Sequence, residues 1–162
     1  ALYRECWEMR KKTLGDDHPH TLGSIHGIAY ALSNQGNYAQ AEAMYQQCWE
    51  VSKKTLGDDH PNTLNVLNNM AVAMDGQGNH DKAVELLQGC WEDMKKKLGE
   101  EHPDSLECLY DLANALKNQG NHSKAEKLQL DCCEISEKTL GINHPETLKY
   151  KKHLDLMITN TN

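Results

Sequence analysis

Thiols, imidazoles and paired acids are the side chains of this sequence able to ligate a metal, cross-link or attack an electrophile, and they recur at a fixed interval. Cys6-Trp7, Cys48-Trp49, Cys90-Trp91 and Cys132-Cys133 stand 42 residues apart, with Cys108 outside the series. His18, His60, His102 and His144 keep the same interval, each directly before one of the four prolines, Pro19, Pro61, Pro103 and Pro145. Three of them follow acid pairs, Asp16-Asp17, Asp58-Asp59 and Glu100-Glu101. Taken singly, the thiols would suit disulfides or a thiolate zinc site, and Asp-Asp-His a carboxylate and imidazole cation site. Whether they converge depends on the elements that carry them.

The interval marks internal repeats. Leu14-Gly15-Asp16-Asp17-His18-Pro19 returns, with changes, from Leu56, Leu98 and Leu140, and Gln35-Gly36-Asn37 returns from Gln77 and Gln119. After His60-Pro61, the apolar residues Leu64, Leu67, Met70, Ala71 and Met74 follow three- and four-residue spacing, which predicts a helix of about four turns. Pro61 suits the first turn, where its missing N–H would be unpaired anyway, and it pushes His60 out of the α region. Gly78 closes this helix through a left-handed backbone, and Asn79 is placed to cap the next. A second helix runs from His80 to about Lys97 on the stripe Ala83, Leu86, Leu87, Cys90 and Met94, with Lys95, Lys96 and Lys97 at the negative end of its dipole. Alanines at 29, 71 and 113 in the first helix and at 41, 83 and 125 in the second let each pair cross closely. No segment alternates as a strand. The predicted fold is all-α, an α-solenoid of stacked antiparallel helix pairs forming one domain over 1–162. It comprises a half repeat at 1–13, full pairs at 19–55, 61–97 and 103–139, and a capping helix at 145–159.

Stacking sets neighbouring copies about 10 Å apart, beyond the ~7 Å between Cα atoms that a disulfide spans and the ~2 Å bonds of a shared ion. Cys6, Cys48, Cys90 and Cys132 therefore read as small apolar core residues, reduced and slow to react, with Cys132 and Cys133 on different helix faces. Consecutive residues at a helix start fan outward, so the four His-Pro pairs read as punctuation. Trp7, Trp49 and Trp91, one in each second helix, read as packing between repeats. No metal, cofactor or enzymatic activity is expected, for the sequence has no glycine-rich phosphate loop, GxSxG, HExxH or glycine-flanked nucleophilic cysteine.

The 162 residues carry 24 acids against 17 bases, a net charge of −7, which removes the basic footprint of a nucleic-acid binder. No run approaches the ~18 apolar residues of a membrane span. The expected setting is cytoplasmic and reducing, with neither nucleic acid nor membrane as a partner.

A helix-turn-helix repeat with Gly36, Tyr38, Ala41, Tyr45 and Cys48 resembles the tetratricopeptide repeat, and the 42-residue period with its LGDDHP connector resembles the kinesin light chain and nephrocystin-like subgroup. The resemblance spans essentially the whole chain. It implies a right-handed superhelix in which the first helix of each pair lines a concave groove for a peptide or partner segment, and a non-enzymatic interaction scaffold. A structural spacer or self-associating array is the alternative. Leu67-Asn68-Asn69-Met70-Ala71 resembles the Leu-Asn-Asn-Leu-Ala core of kinesin light chain repeats, whose asparagines contact bound peptide. Ile25-His26-Gly27-Ile28-Ala29 and Leu109-Tyr110-Asp111-Leu112-Ala113 depart from it.

The groove candidates occupy the face of each first helix that the core does not claim. They are His26 and Tyr30 in the first pair, and Asn65, Asn68, Asn69 and Val72 in the second. Tyr110, Asp111, Asn114 and Lys117 follow in the third, then Lys149 and Lys152 on the last helix, with His153 on the same face. Each amide offers both a donor and an acceptor, which suits a peptide backbone. Glu107 and Asp111 stand where chaperone-binding repeats carry lysine, arginine or asparagine, which disfavours capture of a C-terminal carboxylate. Lys149 and Lys152 suit an acidic segment.

The two ends differ from the middle. The chain opens inside a second helix, as if cut from a longer array, and closes on a first helix in which Lys151 and Asp155 replace an aliphatic residue and an alanine. That is the polar face of a terminal cap, followed by a solvated tail from Thr159 to Asn162. Leu2, Cys6, Met9 and Trp7 are expected to present apolar surface and to give weak head-to-tail stacking between copies.

Overall fold

The structure is a computed structural model describing residues Leu2 to Thr159, with side chains from Arg4 onward. Its regular elements are α1 (Leu2–Leu14), α2 (Pro19–Asn34), α3 (Tyr38–Leu56), α4 (Pro61–Gly76), α5 (His80–Leu98), α6 (Pro103–Asn118), α7 (His122–Leu140) and α8 (Pro145–Thr159). The chain divides into two compact units, Ala1–Asn79 and His80–Asn162. In the first unit α2 packs on α1 and α3, and α3 on α4. In the second α6 packs on α5 and α7, and α7 on α8.

The even-numbered helices begin on histidine caps. His18, His60 and His102 are extended, with ψ of 136, 136 and 139°. Their Nδ1 atoms accept from the backbone N–H two residues on, at 3.2 Å from His20, 3.1 Å from Asn62 and 3.2 Å from Asp104. His144 does the same with Glu146 at 3.3 Å. One orphan donor of each first turn is thereby satisfied, and the accepting role of Nδ1 puts the proton of the neutral ring on Nε2.

The helix ends correct one expectation. Gly78 has a φ of +87°, and Asn79 N–H donates to Met74 O at 3.0 Å while Gly78 N–H donates to Asp75 O at 2.9 Å, a Schellman closure repeated around Gly36 and Gly120. The asparagine after each glycine belongs to that closure through its backbone. Asn37 and Asn121 hold the N-cap positions of α3 and α7 with ψ of 55 and 63°, and their side chains make no capping bond.

The core follows the two stripes with additions. Ala29, Ala71, Ala113, Ala41, Ala83 and Ala125 are at most 1% exposed, as close helix crossings require. Leu67 and Leu86 are only half-buried, whereas Val66, Ala73, Cys108 and Ala115 are buried on a further face of α4 and α6. The wider buried arc arises because these helices pack against neighbours on two sides. Asp155 takes the alanine position on α8 and is exposed, and Lys151 pairs with Glu137 of α7.

All six cysteines are free, but Cys6 is exposed where its counterparts Cys48, Cys90 and Cys132 are buried. Among the described elements α1 packs only on α2, which leaves the Cys6 face uncovered. Met9 is exposed and Trp7 half-buried, while the Leu2 side chain and the tail beyond Thr159 lie outside the described residues. Burial pushes the Cys48 and Cys133 thiols up to about 11, in keeping with low reactivity. Cys132 and Cys133, expected on different faces, share one buried cluster with Leu106, Leu109 and Tyr150, against which Trp91 packs. Each tryptophan also lies under a lysine from its own helix, Lys11, Lys53 or Lys95, at 5.4, 5.0 and 5.1 Å. The same lysines pair with Asp16, Asp58 and Glu100 of the connectors.

Thr21, Thr63, Ser105 and Thr147 occupy one repeat position, and their buried hydroxyl oxygens have no hydrogen-bond partner among the described residues. An unsatisfied buried hydroxyl costs about 1–3 kcal/mol. Thr63→Val should therefore raise the unfolding free energy, by roughly 1 kcal/mol in urea denaturation. A loss of stability would contradict this account of the site.

Candidate functional site

In the first unit, the face of α2 and α4 outside the core carries a connected set of polar side chains. Asn69 Nδ2 donates to Asn65 O and Asn65 Oδ1, both at 3.0 Å, and lies 3.3 Å from His26 Nε2. An amide N–H can only donate, so His26 Nε2 accepts and the ring proton sits on Nδ1. The ring also meets the edge of buried Tyr45, with centroids 5.5 Å apart. This packing holds the His26 pKa below its ordinary 6.5 through burial.

Tyr30 is 55% exposed, and Asn65, Asn69 and Val72 are half-buried. Asn68 is not on the free face. It lies four residues after Leu64 and three before Ala71, at the edge of the core stripe, and is only 6% exposed. Helical geometry, blind to residue type, placed this amide inside.

The second unit presents a different surface. Lys149 Nζ sits 4.9 Å from the Tyr110 ring and 5.5 Å from that of Tyr150, and pairs with Glu146 at 3.0 Å. Burial acts to lower the Lys149 pKa, but Glu146 outweighs it and the net shift is upward. This lysine, expected to await an acidic segment, is held by its own chain. Tyr110 meets His153 edge-on at 5.1 Å. His153 Nδ1 lies 3.3 Å from Oε1 of buried Gln129, whose Nε2 donates to Tyr150 O at 2.9 Å. Burial first, and Lys117 second, lower the His153 pKa. Asp111, Asn114 and Lys117 are half-buried, and Lys152 is exposed. His153 stands with Lys149 and Lys152 on the free face read from the sequence of the last helix, and of this pair only Gln129 is not among the sequence candidates. His153 falls on the period with Asn69 and Asp111, which marks it for the same face, while Gln129 replaces Tyr45 and Leu87 at a core position without a local signal.

Tetratricopeptide repeat models match residues 21–90 in one case and residues 1–20 and 105–146 in another. The structure is similar to two solved forms of a Podosopora anserina protein described as a kinesin light chain with nearly identical TPR-like repeats. The identity is 30% with both, and the TM-scores are 0.79 and 0.76, over 98% of this chain and 74 and 75% of those chains. The chain belongs to the tetratricopeptide repeat family. Its fold is the TPR-like α-solenoid, shared with BtubC (BKLC) from P. vanneervenii at a TM-score of 0.80 and 18% identity, over 99% of this chain and 64% of that one. No curated protein matches the chain. Tetratricopeptide repeat proteins generally mediate protein–protein interaction or scaffolding, and the kinesin light chain-like members form a non-enzymatic scaffold family.

Among the described residues of this repeat protein, no helix is long and apolar enough to cross a membrane, and no group of three or more His, Cys, Asp and Glu side chains is arranged to hold a metal. The titratable members of its polar faces with displaced pKa values include His26 and His153. A base with a folded-state pKa below its unfolded value binds protons more readily when unfolded. The associated stability is therefore full above about 6.5 and falls as pH drops from there through the folded value. Titration of the His26 ring by proton NMR should give a midpoint below 6.5, and His26→Asn should flatten the decline in stability below that pH. A His26 midpoint above 6.5 would contradict the buried, accepting imidazole.

Proposed function

We propose that the chain is a non-enzymatic protein-interaction scaffold, acting in the cytoplasm, whose even-numbered helices receive an extended peptide segment of a partner. The observation that carries this reading is the Asn65, Asn69 and His26 set. It is held in place by internal bonds, yet among the described residues Asn65 Nδ2 and Asn69 Oδ1 have no internal partner. A donor and an acceptor on neighbouring turns match the alternating groups of an extended backbone, and their fixed geometry lowers the entropy lost on binding. Tyr30 adds an exposed aromatic on the same helix face. In the second unit Tyr110, Asn114, Lys117 and Lys152 form the corresponding surface.

A second reading, a self-associating array, is favoured by exposed apolar residues: Met9 on α1, and Leu148, Leu156 and Ile158 on α8, at 66, 50, 47 and 41% exposure. Stacking of the α8 face of one copy on the α1 face of the next would cover them, opposed by the charge of Asp155.

Selection from a displayed random-peptide library, followed by fluorescence anisotropy, separates the readings. The scaffold reading predicts saturable peptides, with affinity falling about tenfold in Asn69→Ala, the loss of one to two net hydrogen bonds. No saturable peptide, together with concentration-dependent sedimentation, would overturn it in favour of the array.

A further inference from the structure

The first unit contains a cavity of about 400 Å³ between α2, α4 and the last turns of α3. It exists at a break in the repeat. Gly23 stands where the other copies carry Asn65, Glu107 and Lys149, and a Cβ built on Gly23 would meet nothing within 4 Å. The missing side chain leaves room among Leu22, Leu56 and Val66, whose aliphatic groups line the cavity.

The electrostatics of the lining are one-sided. Asp17 is its one ionised side chain, and among the described residues it has no ion pair, since Lys11 reaches its neighbour Asp16 at 3.1 Å. His26 and Asn65 contribute neutral polar groups from the wall shared with the amide set. No cation lines the cavity to receive an anion. An apolar stem with a positive head has a place for both parts, and long basic side chains bury their methylenes in this way.

From the cavity, the Gly23 gap and the lone Asp17 carboxylate, we infer that this is a binding site for a lysine or arginine side chain of the partner. The stem lies against Leu22, Leu56 and Val66, and the charged head faces Asp17. Burial keeps His26 neutral, so that it does not repel the cation. The inference rests on the peptide-scaffold reading and gives it a preference: partner segments carry a basic residue in register with α2. The chain's net charge of −7 favours the same class of partner.

The test uses the full chain and small probes, Nα-acetyl-arginine methylamide and its lysine counterpart, titrated into amide-resolved NMR spectra. Fast-exchange shifts should concentrate at Gly23, His26, Asn65 and Val66. Asp17→Asn should weaken binding by about threefold to fivefold, the range of an exposed charge pair, and leave the affinity of the uncharged norleucine analogue unchanged. Gly23→Asn, which installs the side chain of the next copy, should abolish the shifts while the chain keeps its thermal midpoint. Shifts elsewhere, affinity independent of Asp17, or equal binding of the acetyl-glutamate analogue would overturn the inference. Library peptides that bind a chain indifferent to these probes would refute the pocket and leave the scaffold. Probe binding by a chain that selects no peptide would uphold the pocket and refute the scaffold.

Discussion

Each even-numbered helix starts where a histidine accepts a hydrogen bond from its second following residue and a proline fixes the backbone between them. This local constraint sets more than a boundary. Once the first turn is anchored, 3.6-residue periodicity determines which side chains face the core and which face away. On these helices the buried Ala29, Ala71 and Ala113, the buried Cys108 and the polar faces all follow from that phase. Because the connector repeats at a constant interval, the phase is reset in every pair instead of drifting.

The polar faces are built largely from residues that first satisfy one another. Asn69 is bonded to Asn65 and His26, Lys149 to Glu146 and the Tyr110 ring, and His153 to Gln129. Such bonds use some of the valence that a ligand would need, but they fix the remaining atoms in place. The two units do this differently. In the first, neutral amides and a neutral imidazole carry the face. In the second, Lys149 is engaged on aromatic rings as a structural clasp, while Lys152 stands as an exposed ammonium.

Periodicity made the architecture legible, since prolines, glycines and alanines act through the backbone and through close approach, both local in sequence. The helix read from His80 to about Lys97 spans His80–Leu98. Tertiary detail was less visible. Asn68 looked like a free amide by analogy with its neighbour, yet its angular position puts it beside Leu64 and Ala71. Cys108 is off the period, and only the packing of α6 on α5 shows that it donates to Leu87 O at 3.6 Å. Asn37 and Asn121, the counterparts of Asn79, make no side-chain cap, because the preceding helix closure already commits that backbone. The cavity at Gly23 depends on a side chain that is missing, and only the packed helices show that nothing else fills the space.

The central claim, that the His-Pro start sets the phase of each pair, is tested most directly by denaturation of His60→Ala and His60→Asn, read with amide exchange along α4. The account predicts that His60→Ala loses about 1 kcal/mol and that His60→Asn, whose side chain also accepts at an N-cap, retains most of the stability. Fast exchange in His60→Ala should begin at Asn62. Equal stability of His60→Ala and the parent chain, with unchanged protection in the first turn of α4, would contradict the claim.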